Sequence, residues 1–313
     1  VMRLTVPGNL LILGEYAVTE EGGLGLALAV DRRVVVELAP ASRLIVEGSW
    51  GSGSLRWTAE SADGSPLISA IVETWRDHLA KRSGGKDPGG AHISVDSSAF
   101  FTAGRKSGFG SSAAVTVALT CALLHHSGFR GRELTRRASR LALAAHRRAQ
   151  GGKGSGYDIY ASLYGGFGRF VGGEEPSWQS LQLPWLPPLF LFHGSASVST
   201  PNSITLYERW KRSNPRALRK HLKDSNRSVR AFLDAEDWSQ GRRYFAALKN
   251  LGLRLGEQIG VSADIPAPRG LQPELYKALG AGNELAIYIA ETSPDNPALE
   301  PVTLSAGGVQ WHT

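Results

Sequence analysis

The sequence predicts an α+β fold, and the arrangement of its apolar residues supports that prediction. Short runs rich in β-branched residues, of which Val30–Leu38 is the clearest, are separated by glycine and serine turn signals. Longer segments with apolar residues at helical spacing, such as Gly131–Gln150, interrupt these runs. Strands and helices do not alternate regularly, which disfavours a simple βαβ array.

The predicted elements fall into two groups along the chain. The N-terminal group contains the strands Met2–Val6, Val30–Leu38, Arg43–Val46, Ser54–Thr58, Ala91–Val95 and Gly168–Val171, and the helices Pro66–Lys81, Ser112–His126 and Gly131–Gln150. The C-terminal group contains the strands Leu189–His193 and Leu285–Ala290 and the helical segment Ser203–Gly256. Between them Glu174–Pro188 is proline-rich and predicts a linker. We therefore predict domains at residues 1–183 and 184–313.

Composition narrows the class of protein. Hydrophobic residues make up 42% of the chain, yet no apolar run reaches the roughly 18 residues that span a bilayer, so we expect no membrane partner. The only cysteine, Cys121, cannot form an internal disulfide and is expected to pack as a small hydrophobe. With no signal-peptide pattern at the start of the sequence, a cytoplasmic protein is expected.

The net charge of +7 would suit either a polyanion or a phosphorylated metabolite. The basic clusters, such as Arg130–Arg140, also carry apolar residues at helical spacing, which favours solvent-exposed helix faces. Because zinc-ligand spacing and aromatic nucleic-acid motifs are absent from the sequence, no nucleic-acid partner is predicted.

A glycine-rich segment, Gly104–Ala114, carries the clearest chemical signal. Its glycines permit backbone torsions that turn several N–H groups toward an anion. The segment leads into the predicted helix Ser112–His126, whose N-terminus favours phosphate. Ser111 and Ser112 could cap this helix or bind a phosphate-bound metal ion, and Lys106 adds positive charge.

Two other interpretations of this segment stay open at this point. The run Gly108–Ala113 also fits the dinucleotide pattern G-x-G-x-x-A, which requires an acidic residue about twenty positions later. Glu133 stands at that distance, but it opens a predicted helix rather than closing a strand, which disfavours this interpretation. A loop that only caps a helix is the other alternative. A Walker A motif is excluded because no Gly-Lys-[Ser/Thr] follows the glycines.

Three motifs resemble those of the GHMP kinases, a family of small-molecule kinases. Pro7–Val18 resembles the first motif of that family, and Gly108–Ala114 resembles the second, with phenylalanine in place of leucine. Gly154–Asp158 resembles the segment that holds the catalytic aspartate. The preceding Ala145–Gly151, together with Tyr16 and the stretch 193–200, is similar to the phosphomevalonate kinase branch of the family.

The resemblance implies a fold and an activity. It implies the two-domain GHMP kinase fold, with an N-terminal ATP-loop domain and a C-terminal ferredoxin-like α/β sandwich. It also implies ATP and Mg²⁺ as cofactors and phosphoryl transfer to a small phosphorylated substrate, namely 5-phosphomevalonate to 5-diphosphomevalonate. Mevalonate, sugar and homoserine kinases of the same family are alternatives, as is a catalytically weak relative that binds a ligand or partner. A monomer or homodimer is expected.

The resemblance also assigns candidate residues. The catalytic candidates are Asp158 and Lys106. The ATP-binding candidates are Gly108, Phe109, Gly110, Ser111, Ser112 and Ala113, and Ser112 is also the metal candidate. The substrate-binding candidates are Asn9, Glu15, Tyr16, Ser155, Gly156, Ser197, Ser199, Thr200, Gly280, Ala281 and Gly282, with His193 a weaker one.

The sequence departs from the family pattern at three places. Asn9 stands where the first motif has a lysine, and Lys106 or Lys153 could supply the missing charge. The third motif keeps only Gly280–Gly282 before it diverges. Position 147 is arginine where mevalonate kinases carry a metal-binding glutamate, so Mg²⁺ would rest on Ser112 and the nucleotide.

Overall fold

The computed structural model describes residues 1–51, 53–61, 65–83, 88–102, 104–194, 200–280, 282, 285–292 and 294–312. The helices are α1 (Pro66–Ser83), α2 (Ser111–His126), α3 (Gly131–Ala149), α4 (Tyr157–Tyr164), α5 (Thr200–Ser213), α6 (Pro215–Leu233) and α7 (Trp238–Ile259). The strands are β1 (Met2–Leu13), β2 (Leu24–Pro40), β3 (Ile45–Trp50), β4 (Gly53–Thr58), β5 (Ala91–Asp96), β6 (Phe101–Thr102), β7 (Arg105–Lys106), β8 (Phe167–Val171), β9 (Ser177–Leu181), β10 (Leu189–His193), β11 (Tyr276–Ala278), β12 (Leu285–Ile289), β13 (Glu300–Pro301) and β14 (Gln310–His312).

The elements confirm the predicted α+β class, with one correction and several omissions, namely α4 and the short strands β6, β7, β11, β13 and β14. The predicted linker Glu174–Pro188 contains β9, which pairs antiparallel with β8. Most β9 side chains are exposed or half-buried, so the strand lacks the apolar alternation that would have identified it. Helix α4 was not predicted because it is short and directly follows a run of glycines.

Two compact units are interleaved along the chain. The first unit comprises Val1–Asn9, Ala29–Gly166 and Leu304–Thr313, and the second comprises Leu10–Leu28 and Phe167–Thr303. The chain therefore passes from one unit to the other within β1 and again within β2. The predicted domains, divided between residues 183 and 184, are each one continuous segment of the chain. That division stays a prediction.

In the first unit, helices pack beside a sheet whose strand order is β14-β1-β2-β5-β3-β4. The β3–β5 pair is parallel, while β2 pairs with β5 in antiparallel register. Helix α2 packs against α1, α3 and α4. Because it is surrounded by these helices, α2 is apolar on nearly every face, and Val117, Leu119 and Cys121 are fully buried. Burial raises the pKa of the Cys121 thiol to about 12, as expected for a residue that packs as a hydrophobe.

In the second unit, β10 and β12 form the centre of an antiparallel sheet with the order β11-β12-β10-β13. Every residue of β12 is buried, which explains its uninterrupted apolar sequence. The N-terminal part of β2 pairs with β8. Helix α7 begins where the Asp237 side chain accepts a hydrogen bond from the Gln240 amide at 2.8 Å, and it ends at Gly260 in a left-handed conformation. Among the described residues, no helix combines the length and apolar character needed to cross a membrane.

Candidate active site

The glycine-rich loop ends at the N-terminus of α2, as the sequence predicts. Gly108 and Gly110 have φ angles of 76° and 69°, which favour glycine. Gly110 is the N-cap residue, and its carbonyl accepts the first helical hydrogen bond from Ala114 at 3.1 Å. The amides of the first turn, including those of Ser111 and Ser112, have no carbonyl partner one turn earlier in the helix. This end of α2 is therefore suited to an anion.

A buried phenylalanine anchors the same loop. Phe109 is 4% exposed, and the Arg32 guanidinium lies 4.8 Å from the centre of its ring. The Phe109 carbonyl accepts a hydrogen bond from the backbone N–H of Asn9 at 3.0 Å. A side chain at Gly8 would collide with this carbonyl, so glycine is required for the close approach of β1 to the loop.

The Asn9 side chain forms hydrogen bonds with other residues of the protein. Its carboxamide nitrogen donates to the Ser162 hydroxyl at 3.0 Å and, at a longer 3.4 Å, to the Gly110 carbonyl. Only 2% of Asn9 is exposed. A Cβ atom added at Gly110 would collide with this carboxamide. Asn9 therefore joins β1 to the glycine-rich loop and to α4, and its predicted role in substrate binding stays a prediction.

Asp158 lies in the first turn of α4, where the helix dipole favours a carboxylate. Its Oδ1 accepts a hydrogen bond from the Ile159 amide at 2.9 Å, and its side chain is 22% exposed. Its Oδ2 lies 3.7 Å from Nδ1 of His146, a residue that the sequence did not single out. This carboxylate is thus held by the protein while part of it remains accessible.

His146 brings the predicted metal residue and the predicted catalytic residue to one imidazole ring. Its Nε2 lies 3.4 Å from the Ser112 hydroxyl and 3.1 Å from the side-chain nitrogen of Gln150. The ring is buried, with 3% exposure, within α3. Ser112, His146 and Asp158 come from three different helices, so no local sequence pattern connects them.

Arg147 holds the loop that precedes Asp158. Its Nε donates to the Gly154 carbonyl at 3.0 Å, and an Nη donates to the Ser155 carbonyl at 3.4 Å. The loop ends at Gly156, whose φ of 92° places it at the N-cap of α4. A Cβ atom at Gly156 would collide with Leu143. The arginine at the position of the family glutamate is therefore a support for the backbone of the loop.

The two lysines proposed to replace the motif charge are both exposed. Lys106 lies on β7, which pairs with β6, and Lys153 follows α3. No side-chain contact joins either lysine to Asp158 within the described part of the chain. The catalytic assignment of Lys106 accordingly stays a prediction.

In the second unit, Glu15 forms a buried ion pair with Lys277, which the sequence did not identify as a site residue. The Lys277 ammonium also donates to the carbonyls of Ile12 and Ala278, both at 2.9 Å. Burial raises the pKa of Glu15, and it lowers the pKa of Lys277. The positive charge of Lys277 opposes the rise in the Glu15 pKa, and the negative charge of Glu15 opposes the fall in the Lys277 pKa. The pair joins the end of the first motif to the strand that leads into the third.

Several predicted substrate residues surround a small cavity in this second unit. The cavity, of about 40 Å³, is lined in part by Glu15, Tyr16, Gly280 and Gly282. It has room for about three water molecules and is too small for a metabolite. His221 also lines it, and its Nε2 atom is buried with no hydrogen-bond partner among the described residues.

Tyr16 has an unusual backbone conformation at the edge of this cavity. Its φ of 61° lies in the region that favours glycine, which is a local strain. Its ring centre lies 5.0 Å from that of Tyr207. Burial raises the pKa of the Tyr16 hydroxyl to about 12, so this group stays protonated near neutral pH.

The remaining predicted residues cannot be compared with the structure in full. Ser197, Ser199 and Ala281 lie outside the described residues. Thr200 begins α5, and only its backbone is described. His193 is exposed at the end of β10, and Ser155 is buried before α4.

The residues present fit ATP and Mg²⁺ in their chemistry. No group of three or more His, Cys, Asp or Glu side chains suited to a metal ion occurs among the described residues. Mg²⁺ bound to a nucleotide commonly uses one or two protein oxygens and keeps several waters. The Ser112 hydroxyl is an oxygen donor of that kind, and the end of α2 suits the phosphates.

Comparison with known proteins supports the resemblance to the GHMP kinases. Residues 67–166, which include the glycine-rich loop, α2, α3 and α4, match the family described as GHMP kinases N terminal domain. This match supports the resemblance found in the sequence motifs. The matched segment contains Ser112, His146 and Asp158.

Curated proteins similar to this chain include two phosphomevalonate kinases. The one from Saccharolobus solfataricus is 30% identical over 168 residues, covering 52% of this chain and 47% of the relative. The one from a Streptomyces species is 31% identical over 239 residues, covering 65% and 60%. The chain thus spans about half to three-fifths of the length of these relatives.

A solved structure shows the same fold. It is that of the Streptococcus pneumoniae phosphomevalonate kinase in complex with phosphomevalonate and AMPPNP. It matches with a TM-score of 0.72 at 16% identity, covering 94% of this chain and 93% of the other. At this identity the likeness establishes the fold, and the GHMP kinase fold predicted from the motifs is confirmed.

Proposed function

We propose that this protein transfers the γ-phosphoryl group of Mg-ATP to 5-phosphomevalonate and forms 5-diphosphomevalonate. One observation carries the proposal. The N-terminus of α2, with Ser112, lies against the same imidazole ring as Asp158, so a phosphate-binding helix end and a partly exposed carboxylate converge. The names of the curated relatives support this choice of acceptor.

The glycine-rich loop would bind the triphosphate. Gly108, Phe109, Gly110, Ser111, Ser112 and Ala113 form the loop and the first turn of α2. Backbone amides at this helix end would donate to phosphate oxygens, and the helix dipole would favour their negative charge. Lys106, exposed on the preceding strand, would add a mobile positive charge.

Mg²⁺ would be held by Ser112 and by the nucleotide phosphates. When bound, the ion would neutralise charge on the transferring phosphoryl group. The protein itself would contribute the Ser112 hydroxyl oxygen at the N-terminus of α2. Asp158 would stay available to the acceptor.

The acceptor chemistry defines the role of Asp158. A phosphate monoester has a second pKa of about 6, so it is mostly dianionic near neutral pH and needs little deprotonation. Orientation and charge neutralisation would then supply most of the catalysis. Asp158 would orient the acceptor or a cation bound to it. With an alcohol acceptor, the same carboxylate would remove the hydroxyl proton.

The remaining predicted residues would contact the acceptor. On the phosphate-loop side these are Asn9, through its position beside Gly110, and the loop residues Ser155 and Gly156. The assignment of the other candidates, Glu15, Tyr16, Ser197, Ser199, Thr200, Gly280, Ala281 and Gly282, stays a prediction. The Lys277–Glu15 pair holds together the two segments that contain Tyr16 and Gly280.

An acceptor panel tests the proposal. Release of ADP would be measured with Mg-ATP and mevalonate, 5-phosphomevalonate, homoserine, galactose or a heptose phosphate. We expect turnover with 5-phosphomevalonate and a product heavier by one phosphoryl group in mass spectrometry. The variant Asp158→Ala should lose about a hundredfold in turnover, because the acceptor is no longer held in orientation. Asp77→Ala removes an exposed carboxylate of α1 and serves as the matched control. Turnover with a different acceptor alone would contradict the proposed substrate.

A second candidate is a catalytically weak relative that binds a nucleotide or a partner. The observation in its favour is that Asn9, at the position of the motif lysine, carries no charge and is fully engaged with Ser162 and Gly110. Loss of a charged transition-state contact lowers the rate by about a hundred- to a thousandfold. ATP binding by calorimetry without turnover on any member of the panel would favour this candidate.

A further inference from the structure

The contacts of His146 define which ring nitrogen carries the hydrogen. The Gln150 side-chain nitrogen, 3.1 Å from Nε2, can only donate a hydrogen bond. With the Gln150 nitrogen as the donor, Nε2 accepts and the ring hydrogen lies on Nδ1. That hydrogen faces Oδ2 of Asp158 at 3.7 Å. The ring thus offers an acceptor on one edge and a donor on the other.

This arrangement also fixes the hydroxyl of Ser112. The single lone pair of Nε2 faces both the Gln150 amide and, at 3.4 Å, the Ser112 hydroxyl, so the hydroxyl directs its hydrogen toward the ring as the second donor of a shared hydrogen bond. Both lone pairs of its oxygen then point away from His146. A hydroxyl that binds a cation must offer a lone pair rather than a hydrogen, so this orientation is the one that a metal ligand requires.

We infer that His146 is a positioning residue that orients the Ser112 hydroxyl toward the metal–phosphate group and fixes the Asp158 carboxylate. The inference rests on the proposed function, which places Ser112 and Asp158 in one site. His146 acts through these two residues. It is buried, so water cannot readily take its place. Oδ1 is held by the Ile159 amide, and the ring N–H, 3.7 Å from Oδ2, is an electrostatic partner beside the carboxylate rather than a direct hydrogen bond.

Two substitutions of His146 test its contact with Ser112 and its contact with Asp158 separately. In His146→Asn, the side-chain amide reaches about as far as Nδ1 of the histidine did, so it can still donate toward Asp158. It is too short to contact the Ser112 hydroxyl. In His146→Gln, the longer amide reaches about as far as Nε2, and its oxygen can accept the Ser112 hydroxyl. The control His126→Asn changes a histidine at the opposite end of α2. Thermal unfolding would verify that each variant is folded.

The first readout is ATP affinity by calorimetry, with excess Mg²⁺ and with the metal chelated. We expect His146→Asn and Ser112→Ala each to weaken Mg-ATP binding about tenfold and to leave metal-free ATP within about twofold of wild type. His146→Gln should keep Mg-ATP binding within about threefold. The double variant Ser112→Ala/His146→Asn should bind Mg-ATP with the same affinity as whichever single variant binds it more weakly, because the two substitutions remove the same interaction.

The second readout is turnover with the accepted substrate. His146→Gln should lower kcat about tenfold with little change in KM for ATP, because Asp158 loses its donor while Ser112 keeps its acceptor. If the wild type turns over no acceptor but shows the Mg²⁺-dependent binding pattern, the proposed acceptor fails and the role of His146 toward Ser112 stands.

Three binding results would overturn the inference. One is an equal loss of affinity with and without Mg²⁺ in His146→Asn, which would indicate a merely structural role. Another is that the effects of Ser112→Ala and His146→Asn multiply in the double variant. The third is wild-type ATP binding that does not depend on Mg²⁺.

Discussion

A polar cluster is buried in each of the two units, and the two clusters differ in how completely their groups are satisfied. In the second unit, the Lys277 ammonium has three oxygen partners, which match its three hydrogens. In the first unit, the contacts of His146 with Ser112 and Asp158 measure 3.4 and 3.7 Å, and Asp158 is partly exposed. The saturated cluster is suited to holding backbone segments in place, whereas the looser cluster retains capacity for a ligand.

The largest expected effect comes from breaking the saturated cluster. Lys277→Met leaves Glu15 buried without its counter-charge, so we expect the free energy of unfolding to fall by about 3–5 kcal/mol. Urea unfolding measures this change. The matched variant Glu15→Leu/Lys277→Met removes both charges and should recover most of the loss. A double variant no more stable than the single one would show that the charge is not the cause.

Breaking the looser cluster should affect activity instead of stability. Asp158→Asn keeps the size of the side chain and removes its charge, so we expect turnover to fall about a hundredfold. The free energy of unfolding should change by less than about 1 kcal/mol, since the side chain is partly exposed. Steady-state kinetics and urea unfolding on the same preparation check both parts. A stability loss as large as that of Lys277→Met would remove the distinction between the two clusters.

Asn9 lies in the first unit beside the glycine-rich loop and is buried like Lys277, and its carboxamide nitrogen donates to two acceptors. Asn9→Lys would break its bond to Ser162 and bury an ammonium group, so we expect a loss of about 2 kcal/mol in stability. We also expect no gain in turnover, because the surrounding structure is built around the carboxamide. Asn9→Ala distinguishes the lost hydrogen bond from the added charge. Higher turnover in the lysine variant would show instead that the missing motif charge limits the rate.

The smallest expected effect is a pH dependence in the Lys277→Met variant. Burial holds the pKa of Glu15 above its ordinary value of 4.5, and loss of the lysine removes the influence that lowers it. Between 4.5 and the raised pKa, the folded state keeps a proton that the unfolded state has released, so stability falls as pH rises. The deficit relative to wild type should therefore shrink by about 1 kcal/mol between roughly pH 8 and pH 5. A deficit independent of pH would place its origin outside Glu15.

The sequence predicts the parts of the candidate site that depend on local pattern. The glycine-rich loop, the start of α2 within one residue, and the placement of Asp158 after a glycine turn all follow from neighbouring residues. His146 and Lys277 do not, because their partners lie far away along the chain, as with Ser112 and Glu15. One signal did exist for Lys277, since a lysine inside the apolar run Leu275–Leu279 predicts a buried charge that needs a partner.

The interleaving of the two units has a consequence for synthesis on the ribosome. In the first unit, β14 pairs with β1, so Arg3 lies opposite His312 and the Thr5 hydroxyl lies 3.2 Å from the His312 ring. Strand β1 must therefore wait until almost the whole described chain has been translated before this edge of its sheet can form. Until then the N-terminal strand exposes unpaired backbone groups on that side. This edge of β1 is therefore expected to stay unpaired until residues 310–312 leave the exit tunnel.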